Sequence, residues 1–215
     1  MIIKSFLRHT IFLLSGLVCC AASAGAHPHV WVTMKSEIVY APDGSVTGVR
    51  HAWTFDDMFS AFATQGLEAK KKGEFTREEL APLAEVNVTS LKDFDYFTYA
   101  KANGKKTPFN GPVDYYLDYS DQVLTLHFTL PFKTPVKAPN LDIEVFDPSY
   151  FVDFAFAEKD PVALLHAPPQ CKLATAKAGD ATPPQFQRLP DALANQPDTM
   201  NYGAQFANKI AVKCQ

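Results

Sequence analysis

The sequence predicts an α+β domain: a mostly antiparallel β-sheet with one or two helices packed on it, and a disulfide-stapled extension at the C-terminal end. Stretches with strict alternation of apolar and polar residues recur along the chain, and alternation with a period of two is the mark of a half-buried strand. Two stretches carry helix-start signals instead, an Asp pair before a 3–4-spaced aromatic stripe and a Thr-Arg-Glu-Glu capping box. Two late cysteines, Cys171 and Cys214, supply the staple.

The chain opens with Lys4 and Arg8, an apolar run from Thr10 to Val18, and the small residues Ala21 to Ala26. A positive region, a short apolar region and an Ala-x-Ala site form a secretory signal, too short to span a membrane. Cleavage after Ala26 fits best and leaves His27 at the new N-terminus; cleavage after Ala24 is the alternative. Cys19 and Cys20 suggest a lipoprotein, but no good lipobox precedes either. The expected division is a signal peptide over 1–26, an α+β domain over 27–160 and a C-terminal extension over 161–215 packed on that domain.

Val30 to Tyr40 alternates, with Val30, Val32, Met34, Ile38 and Tyr40 on one face. Pro42-Asp43-Gly44-Ser45 is a turn, Pro fixing φ and Gly accepting φ > 0. Val46 to Phe55 is the returning strand, with Val49, His51, Trp53 and Phe55 on one side. If Tyr40 pairs with Val46, Val30 lies opposite Asp56 and His29 opposite Asp57; a bulge shifts this by one residue. Phe55, Met58, Phe59 and Phe62 then predict a helix fading in Lys70-Lys71-Lys72 and stopping at Gly73. The capping box at Thr76 starts a second helix, in which Pro82 is awkward. It is either short or restarts there and runs to about Leu91.

Phe94 to Lys101 reads as a strand, and Asn103-Gly104 is the strongest hairpin signal in the chain. Pro108 and Pro112 keep the return strand short or at an edge. Val113 to Tyr119, a turn at Ser120-Asp121, and Val123 to Leu130 form another hairpin. Leu141 to Phe146 alternates again. Beyond Asp160-Pro161, Pro168-Pro169 and Pro183-Pro184 predict surface loops, and Lys209 to Cys214 a last strand pinned near Cys171.

The full chain has 20 basic and 23 acidic residues, a net charge of −3. Removing the signal takes Lys4 and Arg8, leaving 18 basic residues against 23 acidic and a net charge of −5. An acidic chain with no basic cluster is a poor fit to nucleic acid. No second long apolar run follows the signal, so no stable membrane insertion is expected after cleavage. In an exported protein Cys171 and Cys214 should pair, closing a loop of about 40 residues worth roughly 3–4 kcal/mol in the chain-entropy model; a thiolate metal site is the competing reading.

The chemistry concentrates at His27-Pro28-His29. Neutral imidazole suits zinc, nickel, cobalt and copper. His27 offers its ring and, after cleavage, its α-amine. Pro28 has no N–H, so the square-planar mode that deprotonates the second amide is closed to this segment. Zinc wants about four donors, and the hairpin returns Asp56 and Asp57 to the histidines. Either Asp can instead cap the helix that follows. Asp153, a carboxylate between Val152 and Phe154, needs a partner and is a further ligand candidate. His51 and His127 read better as core or surface histidines, and His166 as a loop residue. Asp147 before Pro148 reads as a turn opener. No Ser/His/Asp order, phosphate-binding glycine loop or His-Glu-x-x-His helix is present, so an enzyme is not expected.

His27-Pro28-His29-Val30, the Trp53-Thr54-Phe55-Asp56-Asp57 segment and Asp147-Pro148-Ser149-Tyr150 together resemble a bacterial family of unknown function, described as the periplasmic component of an uncharacterised ABC-type transport system. The resemblance covers about His27 to Phe154. It implies an accessory metal-binding role beside inner-membrane permeases of the nickel/cobalt and metal-ABC kinds, and identifies no metal. The chain is short for a two-lobed solute-binding protein, and a small carrier or chaperone fits better. The expected function is therefore periplasmic binding of a divalent transition metal, zinc first, then nickel, cobalt or copper. The alternatives are a copper oxidase with an N-terminal histidine brace, using His51 or His127 as its second histidine, and a metal-free interaction domain presenting Tyr and Phe.

Overall fold

The computed structural model describes residues 28–71, 73–177 and 199–214. The signal segment, His27 and the Pro183-Pro184 stretch lie outside them. Two β-sheets face one another across a single apolar core.

The first sheet is built on β1 (Val30–Tyr40) and β2 (Val46–Phe55), the expected hairpin. Its turn forms as the residues dictate: Gly44 sits at φ 79 and the Asp43 carboxylate accepts from the Ser45 backbone and hydroxyl. Tyr40 pairs with Val46, but a bulge beside Val39 advances the register by one. Phe55 therefore lies opposite Val32, and Asp56 opposite Trp31 rather than Val30. β6 (Val123–Val136) pairs with β2, and β5 (Val113–Ser120) with β6. The turn between them is Asp121-Gln122, both at positive φ (52 and 67), one residue beyond the expected position.

The mostly antiparallel β-structure with helices expected from the sequence is present, and two features go beyond it. Val152–Phe156 (β8) and Val162–Leu165 (β9) both pair with β1, and they do so in parallel. A second, 5-stranded sheet follows the order β10-β11-β7-β3-β4. Its members are β3 (Thr98–Ala102), β4 (Lys105–Lys106), β7 (Asn140–Val145), β10 (Cys171–Ala176) and β11 (Asn208–Cys214). The stretch beyond residue 160 thus supplies strands to both sheets, and β11 lies inside the second. Cys171 and Cys214 are paired across β10 and β11 and form the disulfide.

Burial follows the alternation on both sheets. Met34, Ile38, Val49, Trp53, Leu126 and Leu130 of the first sheet and Ile143, Val145 and Ile210 of the second are nearly inaccessible. Burying side chains of this size on two facing sheets is the main favourable term, at about 1.5–3 kcal/mol each. Polar contacts join the layers: His51 Nε2 meets Thr98 Oγ1 at 3.3 Å, and the Asn208 amide donates to Phe154 O.

Helix α1 (Asp57–Ala63) is shorter than the lysine-rich ending predicted. Thr64 folds its hydroxyl back onto Ser60 O, and Gly66 at φ 81 turns the chain away. Helix α2 (Arg77–Ser90) has the full capping box and runs through Pro82 without restarting. It buries Leu80, Ala84 and Val88, spaced at i, i+4 and i+8. Phe94–Phe97, expected as strand, instead forms a tight turn in which Asp95, Tyr96 and Phe97 take φ of 51, 55 and 50. Burial of Phe97 against Trp53 and Phe154, and the Thr98 hydroxyl bonded to Tyr96 O, hold this costly backbone. Asn103 and Gly104, both at positive φ, close the β3–β4 hairpin as their chemistry demands.

Candidate metal centre at the start of the first strand

Strand alternation decides which side chains leave the core at this end. Val30 and Val32 point inward, so Trp31 and Thr33 point out. The outer face of the first sheet carries polar and charged side chains, yet Trp31 stands there 47% exposed. Its signal in the sequence is a large aromatic at a polar position of the alternation.

Trp31 lies between two carboxylates. On one side Asp56 accepts the Trp31 N–H through Oδ2 at 2.9 Å, and its own N–H donates to Trp31 O at 2.9 Å. On the other side, in the parallel ladder, Asp153 is the register partner of Trp31. Asp153 is half-buried, and burial raises its pKa above the ordinary carboxylate value. No lysine, arginine or histidine pairs with it among the described residues.

His29 enters from the same edge. Its N–H donates to Phe151 O at 2.9 Å, and its ring lies 4.8 Å from the Phe151 ring. It is level with Phe151, one outward position before Asp153. Extending the ladder by one residue puts His29, just before β1, diagonal to Asp153 of β8.

The remaining candidates separate cleanly. Asp56 is the N-cap of α1: Oδ1 accepts from Phe59 N at 2.8 Å while Oδ2 holds Trp31. Both oxygens are engaged by backbone. Asp57 is exposed in the first turn of α1 and accepts the Met58 N–H. His27 lies outside the described residues, where no three His, Cys, Asp or Glu side chains form a metal-holding group.

His51 is 1% exposed, with Nδ1 bonded to the Ser36 hydroxyl at 2.9 Å and Nε2 to Thr98. Desolvation pushes its pKa down to about 3, so it is a neutral core histidine. His127 is on the outer face, level through Ala52 with Lys35. That is six residues along β1 from His29, roughly 20 Å at strand rise. Neither histidine approaches His29. His127 instead stacks on Tyr116 (4.5 Å), whose ring also carries the Arg77 guanidinium at 3.8 Å. Asp118 ties the cluster together, accepting from Arg77 at 2.7 and 3.2 Å and lying 3.3 Å from His127 Nε2. Burial is the main reason the His127 pKa is lowered. Among the described residues no helix is long and apolar enough to cross a membrane.

Asp147 has a structural role. It is 2% exposed and accepts from the Ser149 N–H and hydroxyl and from the Val152 N–H. The resulting loop aims Phe151 at His29 and sets Tyr150 against Phe206, with ring centroids 3.9 Å apart.

The chain belongs to the family described as protein of unknown function DUF1007, whose model matches residues 12–214. An uncharacterized protein of Haemophilus influenzae is 24% identical over 195 residues, covering 88% of this chain and 92% of that protein. An uncharacterized 15.5 kDa protein in the trpE 3' region of Spirochaeta aurantia is 30% identical over 94 residues, covering 43% of this chain and 66% of that protein.

Proposed function

We propose that this chain is an exported binding protein or chaperone for a divalent transition metal, working in the periplasm beside an inner-membrane metal permease of the ABC or nickel/cobalt kind. Zinc is the first choice, with nickel, cobalt and copper after it. The observation that supports the reading is the placement of His29 beside Phe151 and of Asp153, a half-buried carboxylate with no paired cation among the described residues, on the same outer side of the β1–β8 ladder. An imidazole and carboxylates on a solvent-facing sheet suit a cation that must be both taken up and released. His27, two residues before His29, would add its ring and, after cleavage, its α-amine.

Mass spectrometry of the exported protein first fixes the processed N-terminus and the compartment; a chain starting at His27 in the periplasmic fraction is expected. Titration calorimetry of that form with Zn2+, Ni2+, Co2+ and Cu2+ then tests binding. The expected result is one-to-one binding of at least one of them, lost in the His27→Ala/His29→Ala double variant. Failure of the processed protein to bind any of the four overturns the proposal.

A further inference from the structure

Resting on the metal-binding reading above, we propose that the cation bridges two strands: His29, the residue that leads into β1, and Asp153 of β8 hold it at the mouth of the parallel ladder, and Asp56 serves as a positioning residue. Metal loading then staples β8 to the sheet.

The three carboxylates near His29 have different obligations. Asp56 already satisfies the Trp31 and Phe59 N–H groups. Turning it toward a metal uncaps α1 and releases the Trp31 N–H, so two backbone donors lose their acceptor. Asp57 lies in the first turn of α1, beyond the end of the β1–β2 ladder, where it is exposed and accepts the Met58 N–H. Asp153 has no such duty. It is half-buried, and no cation pairs with it among the described residues. A partly desolvated carboxylate lacking a counter-charge is a cost to the fold that a bound cation removes.

Position agrees with this division. His29 and Asp153 are diagonal neighbours on the outer face, with Trp31 beside them as an apolar wall. With strands about 4.8 Å apart and a rise of about 3.3 Å per residue, such a diagonal separates the two positions by about 8 Å. An imidazole and a carboxylate converging from that separation can meet a first-row cation at about 2.0–2.2 Å from each. Positions left to water or to an incoming partner keep such a site open for transfer.

The mechanical consequence follows from topology. β8 ends the path of the first sheet, and its pairing with β1 covers only Val30 to Met34. Two donors, one leading into β1 and one on β8, add a cross-link at the mouth of that short ladder. The Asp147–Phe151 loop leads directly into β8 and packs Tyr150 on Phe206, so the staple also steadies that aromatic surface.

The test uses the processed protein and Zn2+, or whichever of Ni2+, Co2+ and Cu2+ it binds most tightly if Zn2+ does not bind. Amide exchange over 152–156 should slow about tenfold at a zinc concentration ten times the Kd, since local opening must release the ion. Asp153→Asn should lower zinc affinity by about 10- to 100-fold and abolish that slowing. The metal-free Asn variant should melt at or above the wild-type temperature, because an uncharged amide replaces a desolvated carboxylate; this separates loss of a ligand from loss of fold. If Asp153→Asn binds zinc as the wild type does while His29→Ala does not, the bridge is wrong and the metal-binding reading stands. If the wild type binds no zinc, nickel, cobalt or copper, both fall. Zinc binding that leaves exchange over 152–156 unchanged also overturns the bridge.

Discussion

Asp56 and Trp31 are locked to each other by two backbone-level bonds: the Trp31 N–H donates to Asp56 Oδ2, and the Asp56 N–H to Trp31 O, each at 2.9 Å. One carboxylate thereby ends a hairpin, caps a helix and holds the strand into which His29 leads. Asp56→Ala should destabilise the protein by about 1–2 kcal/mol, the cap together with one orphaned strand N–H. Asp56→Asn, which keeps an acceptor for the cap, should cost less. Urea midpoints of the two variants check the order.

Asp147 is a second organising carboxylate, buried and accepting three hydrogen bonds from Ser149 and Val152. Asp147→Ala should cost roughly 2–3 kcal/mol, because the Val152 N–H loses its partner at a part-buried position. Exchange over 149–152 should rise in parallel. An unchanged denaturation midpoint in this variant would remove the loop from the list of features that hold β8.

Gly203 approaches the same loop from the other side. A Cβ there would lie 1.7 Å from Asp147 O and 2.8 Å from its carbonyl carbon, both rigid backbone. Gly203→Ala must therefore lift its turn off Pro148 and break the Gly203 N–H bond to Pro148 O. A loss of about 1–3 kcal/mol is expected from overpacking of this kind, with the thermal midpoint as the measure. The Tyr150–Phe206 stack should loosen with it.

His51 sets an acid limit. Burial holds its folded pKa down at about 3, against an ordinary histidine value of 6.5. Above pH 6.5 the ring is neutral folded or unfolded and contributes nothing to pH dependence. As the pH falls below 6.5 the unfolded chain takes a proton that the folded chain refuses, so stability is lost from there down to about pH 3. The loss is roughly 2 kcal/mol by pH 5. His127, also lowered by burial, acts in the same direction just below its ordinary value. Urea titrations at pH 7.5 and 5 should show the drop, and His51→Gln should flatten it.

How much of this was legible in the chain depends on the range of the forces involved. Local signals held: the Val30–Tyr40 and Val46–Phe55 hairpin, the Thr76 capping box, the Asn103-Gly104 turn and the apolar alternation of Val123 to Leu130 all formed as their residues require. Their determinants lie within a few residues of one another. The Phe94–Phe97 segment went the other way, since its aromatic content suits a strand but burial of Phe97 against Trp53 overrode that preference.

Taken alone, the sequence determined the faces of the first two strands, the glycine turns at Gly44 and Gly104 and the capped start of α2. Only the tertiary structure decided that β8 and β9 run parallel to β1, that a second sheet closes the core, and that Asp56 is engaged by backbone while Asp153 stands beside His29. Parallel pairing joins segments more than a hundred residues apart, and nothing in a local pattern specifies which strand β1 accepts on its second edge. A one-residue bulge beside Val39 was equally unreadable, yet it sets which residue faces Asp56. Side-chain duties of this kind are fixed by register, and register is settled when distant strands pack on a shared core.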